Sequence, residues 1–186
     1  MSKVLFFLIS GKAGVGKTFT ADIIKEAFSS RGYTVAYKPF AEAVKNTARF
    51  MGWNGKKDSS GRKLLQVIGQ AGREYDENLW VNKVLESIHN MDFYPDVVIV
   101  DDWRFPNEFA RAKDDVMFKI VSLRIIAPER EILKDSPELY NEVSETSLDA
   151  FEFFDYCIEN PVSTPDNLSK SLEEILALET LKNRRH

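Results

Sequence analysis

The run Gly11-Lys12-Ala13-Gly14-Val15-Gly16-Lys17-Thr18 constrains this chain more than any other feature, because it fits the spacing G-x-x-x-x-G-K-[ST] at every required position. The apolar segment Val4 to Ile9 stands before it. After it, Ala21, Ile23, Ile24, Ala27 and Phe28 recur at helical spacing. Strand, glycine loop and helix in that order build an anion cradle. Glycines let backbone N–H groups turn inward where side chains would obstruct them. The following helix then points its positive end at the same anion. By average residue usage, a chance match in a chain of this length is on the order of one per cent.

In such a loop Lys17 bridges the β and γ phosphates of a nucleoside triphosphate and the Thr18 hydroxyl ligates Mg²⁺. The motif alone does not separate kinases, GTPases and motor ATPases. A base-reading Asn-Lys-x-Asp motif is missing, since Asn46-Thr47 and Asn82-Lys83-Val84 do not supply one. At 186 residues the chain is also short for an oligomeric ATPase core. A small-molecule kinase is the class best favoured, with nucleotide-dependent switches and ATPases acting on a macromolecular partner still open.

Composition narrows the setting. Hydrophobic residues at 44% and charged residues at 29% exclude a disordered, fibrous or multi-pass membrane chain. A net charge of -4 argues against a nucleic-acid track. Cys157 is the single cysteine and there are two histidines, so neither an internal disulfide nor a zinc ligand set is available. The first apolar run is too short for a signal peptide and lacks a cleavage site. No stretch approaches the roughly eighteen apolar residues that span a bilayer. The expectation is a cytoplasmic protein without a membrane or nucleic-acid partner; a homodimer is left open.

Along the chain, strands are expected at Val4–Ile9, Thr34–Tyr37, Val97–Val100, within Phe118–Ile126 and at Tyr156–Ile158. Between Phe40 and His89 only helices fit: Ala41–Met51, Arg62–Ile68 and Glu77–Ile88, broken by Gly52 to Gly55 and by Gly69 to Gly72. Further helices are expected around Glu108–Ala112, over Pro128–Lys134 and from Thr164-Pro165 onward, with Asp135 to Ser144 a polar stretch. The fold class is α/β, one P-loop NTPase-type domain over 1–186. About five parallel strands carry helices on both faces. A helical insertion spans about 40–92, and a short lid about 128–146.

A second polar cluster closes the third strand. Val97 to Val100 followed by Asp101-Asp102 has the form of a Walker-B strand, whose carboxylate can hold Mg²⁺ or take a proton. Arg104, two residues on, adds a guanidinium suited to bidentate phosphate binding. Asp102-Trp103-Arg104-Phe105-Pro106-Asn107-Glu108 resembles the D-x-R-F-x-N-E segment of the deoxynucleoside monophosphate kinases of tailed bacteriophages. Phe40-Ala41-Glu42-Ala43-Val44-Lys45 is similar to that family's F-A-x-x-x-K segment. Arg62 to Gly69 is similar to its R-x-L-L-Q-x-x-G helix, and Trp80-Val81 to its W-V pair. Ser144-Glu145 and Asp155 to Asn160 resemble its S-E and D-x-x-I-x-N pieces.

The resemblance implies Mg²⁺-dependent transfer of the ATP γ-phosphoryl group to a deoxynucleoside monophosphate (dNMP), in a host cytoplasm if the chain is phage-encoded. It places Lys17, Asp102 and Arg104 at the reaction centre and Thr18 with Asp102 at the metal, the choice between Asp101 and Asp102 staying open. ATP is assigned to Gly11, Lys12, Ala13, Gly14, Val15, Gly16, Lys17 and Thr18. Lys45, Arg62, Gln66, Arg73, Trp80 and Arg104 are assigned to the acceptor, Arg73 by proximity alone. Arg130 is the lid candidate and Arg124 its rival. Tyr75, Trp80 and Trp103 are unranked candidates for the face against the sugar. The chain departs from the family in having Val143 where a His often precedes the S-E pair, and Asp114-Asp115 where paired glycines are usual. Dephospho-CoA and phosphomevalonate kinases, which share the loop and a similar lid region, remain alternatives.

Overall fold

The computed structural model describes residues 3–130, 142–163 and 166–184. Five strands form one sheet: β1 (Val4–Ser10), β2 (Val35–Tyr37), β3 (Val97–Val100), β4 (Phe118–Ile126) and β5 (Tyr156–Glu159). All pairings are parallel and the order is β2-β3-β1-β4-β5. β1 is central and every one of its residues is buried, as a continuous apolar run predicts for a strand covered on both faces.

The two-residue period of the strands feeds two cores. Leu5, Phe7 and Ile9 join Val97, Ile99 and Leu123 under helices α1 (Lys17–Ser29) and α7 (Asn167–Arg184), which supply Ile24, Phe28, Leu168 and Leu172. Val4, Phe6 and Leu8 join Val98 and Val100 on the other face, against Val84, Leu85 and Ile88. Each fully buried side chain of this size contributes about 1.5–3 kcal/mol of transfer free energy.

Three helices, α2 (Ala41–Phe50), α3 (Ser59–Tyr75) and α4 (Leu79–His89), fill the interval between β2 and β3 with no strand among them. α3 is one helix, not the shorter Arg62–Ile68 expected. Gly69 and Gly72 do not break it, because they are where Trp80 of α4 seats. The Trp80 Nε1–H donates to the Gly69 carbonyl at 2.9 Å. A Cβ on Gly72 would lie 2.3 Å from the Trp80 ring. The glycines are an interhelical contact rather than a stop signal.

α5 (Pro106–Lys113) follows β3. Only Pro128–Arg130 of the helix expected after β4 is described, as a 3₁₀ turn, and a short α6 (Val143–Thr146) stands further on. The rest of the expected lid, residues 131–141, lies outside the described residues, as do Thr164-Pro165. No helix among the described residues is long and apolar enough to cross a membrane.

Candidate active site

Parallel strands bring their carboxyl ends to one edge, where open α/β sheets bind ligands. Leu8 of β1 pairs with Val100 of β3, and Ser10 pairs with Arg124 of β4. The loop leaving β1 therefore lies between Asp101 and Arg124. Gly16, the residue that caps α1, has φ +105°, and a Cβ there would meet the Asn160 amide at 2.7 Å. Asn160, just past β5, donates from Nδ2 to the Val15 carbonyl at 2.9 Å and ties the loop to the far side of the sheet.

Lys17 folds over its own loop, its Nζ donating to the Gly11 and Lys12 carbonyls at 2.8 Å each. Burial, then the Arg104 charge, lowers its pKa to about 8, against the pull of Glu145 and Asp101. The Thr18 hydroxyl donates to Asp101 Oδ2 at 2.7 Å, and the Tyr37 hydroxyl to Asp101 Oδ1 at 2.7 Å. Burial and that bond to Asp101 hold the Tyr37 phenol well above its ordinary value.

Asp102 faces the other way. Its two oxygens accept the Phe40 and Ala41 amides at 2.9 and 2.8 Å, so the carboxylate closes the start of α2. Burial pushes its pKa up, against those two bonds. The geometry thus joins Thr18 to Asp101, where the resemblance had pointed to Asp102.

Arg104 donates from Nη1 to the Ser144 carbonyl at 2.9 Å and to Glu145 Oε1. Glu145 Oε2 in turn accepts the Ala13 amide of the loop at 3.1 Å. Lys12 Nζ donates to the Glu145 carbonyl and to Asp149 Oδ2, both at 2.7 Å. Arg124 donates to Ser10 Oγ and to Asp149 Oδ1, both at 2.8 Å, and its charge reaches Lys17. Arg130 takes a different place, with Nη2 on the Pro161 carbonyl at 3.2 Å, against the segment after β5. Arg124 thus sits at the start of the phosphate loop, and Arg130 next to Asn160, which holds Val15.

A cavity of about 270 Å³ opens between the Asp102–Arg104 turn and the α2–α4 block. Lys45, Gln66, Arg73, Trp80, Asp102 and Arg104 all line it. Arg62 does not. It is exposed, and its Nε donates to the Lys57 carbonyl at 3.0 Å, while Lys57 itself takes a place in the wall. Arg73 lies 4.4 Å from the Phe105 ring centre, a cation–π stack that holds the guanidinium at the wall. Gln66 donates to both Glu142 oxygens at 2.9 and 3.1 Å.

Of the aromatic candidates only Trp80 lines this cavity. Trp103 is 1% exposed and packs among Phe109, Phe151 and Phe154, while Tyr75 is 87% exposed. Glu108 is a wall residue that the sequence reading did not single out. Its Oε2 accepts the Arg104 and Phe105 amides at 2.9 and 3.0 Å, and burial raises its pKa to about 8. Asp149 and Tyr37 were also missed, and no local motif marks either of them. Glu145 was visible only as half of the S-E pair.

Hard oxygen donors from Thr18 and Asp101, side by side at the loop, suit Mg²⁺, which takes one or two protein oxygens and fills its shell from phosphates and water. Among the described residues no group of three or more His, Cys, Asp or Glu side chains could hold a metal alone.

No protein-family model matches the chain, and no curated protein matches it. Among solved structures it is similar to a gluconokinase from Sinorhizobium meliloti 1021, at 13% identity and a TM-score of 0.52, over 100% of this chain and 98% of that one. It is also similar to a shikimate kinase from Bacteroides thetaiotaomicron, at 14% identity and a TM-score of 0.47, over 95% of this chain and 99% of that one. The likeness to the gluconokinase is one of fold, here a five-stranded parallel sheet with helices on both faces.

Proposed function

We propose that this chain is an ATP-dependent kinase that phosphorylates a deoxynucleoside monophosphate, giving ADP and the diphosphate. The observation that carries the reading is the place of Arg104. It lines the acceptor-sized cavity and is joined through Glu145 to the Ala13 amide of the phosphate loop, so one guanidinium serves both sides of a transfer.

Support for the acceptor comes from the wall. Lys45, Lys57, Arg73 and Arg104 can neutralise a monophosphate, while Phe40, Trp80 and Phe105 offer flat apolar faces to a base. The volume is small beside the roughly 300–1,000 Å³ of typical ligand pockets, which favours a metabolite over a peptide or polymer. Residues from five of the six segments resembling the phage dNMP kinases line this wall, while Asp155 to Asn160 lies at β5 and reaches the phosphate loop through Asn160. A gluconokinase shares the fold, which accords with transfer to a small molecule.

The chemistry is an in-line displacement. An acceptor phosphate oxygen attacks the γ-phosphorus, the bond to the β–γ bridging oxygen breaks, and ADP leaves. That oxygen is already anionic near neutral pH, so no strong base is needed. Lys17 and Arg104 offset the charge that spreads over the moving group. Lys17 leaves its loop carbonyls to do so, and a bound polyanion raises its lowered pKa and keeps it protonated. Thr18 and Asp101 would hold Mg²⁺, which would supply further neutralisation at the phosphates. Closure of the wall around the acceptor excludes water and suppresses hydrolysis.

A coupled ADP assay with MgATP across deoxy and ribo monophosphates, with gluconate as a control acceptor, tests the reading. ADP should form only with a monophosphate, most with the deoxy forms. Lys17→Ala and Arg104→Ala should each lower turnover at least about a hundredfold with unchanged circular dichroism. ADP formed with gluconate and with no monophosphate would replace the acceptor. No ADP with any acceptor would sink the kinase reading.

A further inference from the structure

The side chain of Glu145 lies against the phosphate loop, between Ala13 and Arg104. Its carboxylate is 7% exposed and accepts from two donors, the Ala13 amide of the glycine loop and Arg104 Nη1. Around it the loop is closed on itself. Lys12 is held by the Glu145 carbonyl and by Asp149, and Lys17 by two loop carbonyls. The Ala13 amide and the Arg104 guanidinium both present positive charge, and an anion between them satisfies both. Glu145 supplies that anion from within the chain.

We propose that Glu145 is a positioning residue that occupies a phosphate subsite of the loop before nucleotide binds, holding the Ala13 amide and Arg104 together, and that the arriving triphosphate displaces it. Displacement hands Arg104 from Glu145 to the acceptor cavity, whose wall it already forms. Nucleotide binding is then linked to completion of the acceptor side. The inference rests on the kinase reading of the loop. It adds that the chain carries its own competitor for the γ- or β-phosphate oxygens.

Competition of this kind weakens apparent affinity by the fraction of molecules in which the subsite is free. A subsite occupied nine times in ten costs about tenfold in Kd. Two variants of the full chain separate this from simpler effects. Glu145→Gln removes the charge. Glu145→Asp keeps it but is one methylene too short to span the Ala13 amide and Arg104 together.

Titration of each protein with the Mg²⁺ complex of a non-hydrolysable ATP analogue, by calorimetry, should give a Kd about tenfold lower in both variants than in the native chain. In the steady state the KM for ATP should fall while kcat for the acceptor also falls, because Arg104 loses its guide. A merely structural residue would lower kcat and leave the nucleotide Kd unchanged or raised. Tighter binding in Glu145→Gln alone reduces the effect to charge removal and overturns the proposal, as does unchanged or weaker binding in both. Should the variants fail to fold, hydrogen exchange on the native chain decides. Amides of 143–146 should lose protection when the analogue binds, and unchanged protection overturns the displacement. A native chain that binds no nucleotide refutes the kinase reading itself, and the proposal with it.

Discussion

Two adjacent aspartates divide the work at the end of β3. Asp101 takes hydroxyls from Thr18 and Tyr37, and Asp102 takes the first amides of α2. Replacing one should disturb chemistry and replacing the other should disturb the fold. Asp101→Asn is expected to lower kcat at least about tenfold and raise the Mg²⁺ concentration needed, with a melting temperature near native. Asp102→Ala leaves two amides without acceptors and should cost about 2–4 kcal/mol in a denaturant melt. If Asp101→Asn melts early and Asp102→Ala does not, the division is wrong. A reader of the sequence sees the pair but not the division, because it depends on where α2 begins, sixty-odd residues earlier in the chain. Glu145 is less legible still. Its partner Ala13 is 132 residues away, and no local spacing records such a contact. Lys17 and Thr18, by contrast, could be placed outright, since the loop that positions them is contiguous.

At the scale of elements, periodicity reveals what each strand and helix buries, and fails where one helix needs another to seat. β1, β3 and β4 follow from short apolar runs, and the apolar stripes of α1 and α7 from helical spacing. α3 does not, because glycines that look like punctuation are the floor on which Trp80 rests. The seat is testable. Gly72→Ala gains about 1 kcal/mol of helix propensity. The new methyl nevertheless lies 2.3 Å from the Trp80 ring and forces α3 from α4. Net destabilisation of about 1–2 kcal/mol is expected in thermal melts, with a raised acceptor KM because Trp80 is a cavity wall. A variant as stable as the native chain would mean that the helices are free to separate.

Across the whole molecule, the site leaves a signature in stability against pH. Folded Glu108 keeps its proton to about pH 8, whereas the exposed residue loses it near 4.5. The folded state binds more protons between those values, so this group's contribution to stability falls as pH rises through the window. Lys17 acts with the opposite sign, since its folded pKa is about 8 against an ordinary 10.5. There the unfolded chain binds more protons, and its contribution recovers as pH rises from about 8 toward 10.5. Together these two groups place their minimum near pH 8. Denaturant melts at pH 5, 8 and 10 should show Glu108→Gln gaining on the native chain from pH 5 to 8. Lys17→Met should lose its advantage from pH 8 to 10. Parallel curves for native and variant chains would contradict both assignments. The central place of β1 has a consequence in time as well. That strand and its loop leave the ribosome before the rest of the sheet, yet β1 must wait for β3 and β4, and Val15 waits for Asn160, 145 residues later. At about 5–20 residues per second, translation carries an unsupported phosphate loop for roughly 7–30 s. A nascent chain thus holds the whole motif long before the sheet that supports it is complete.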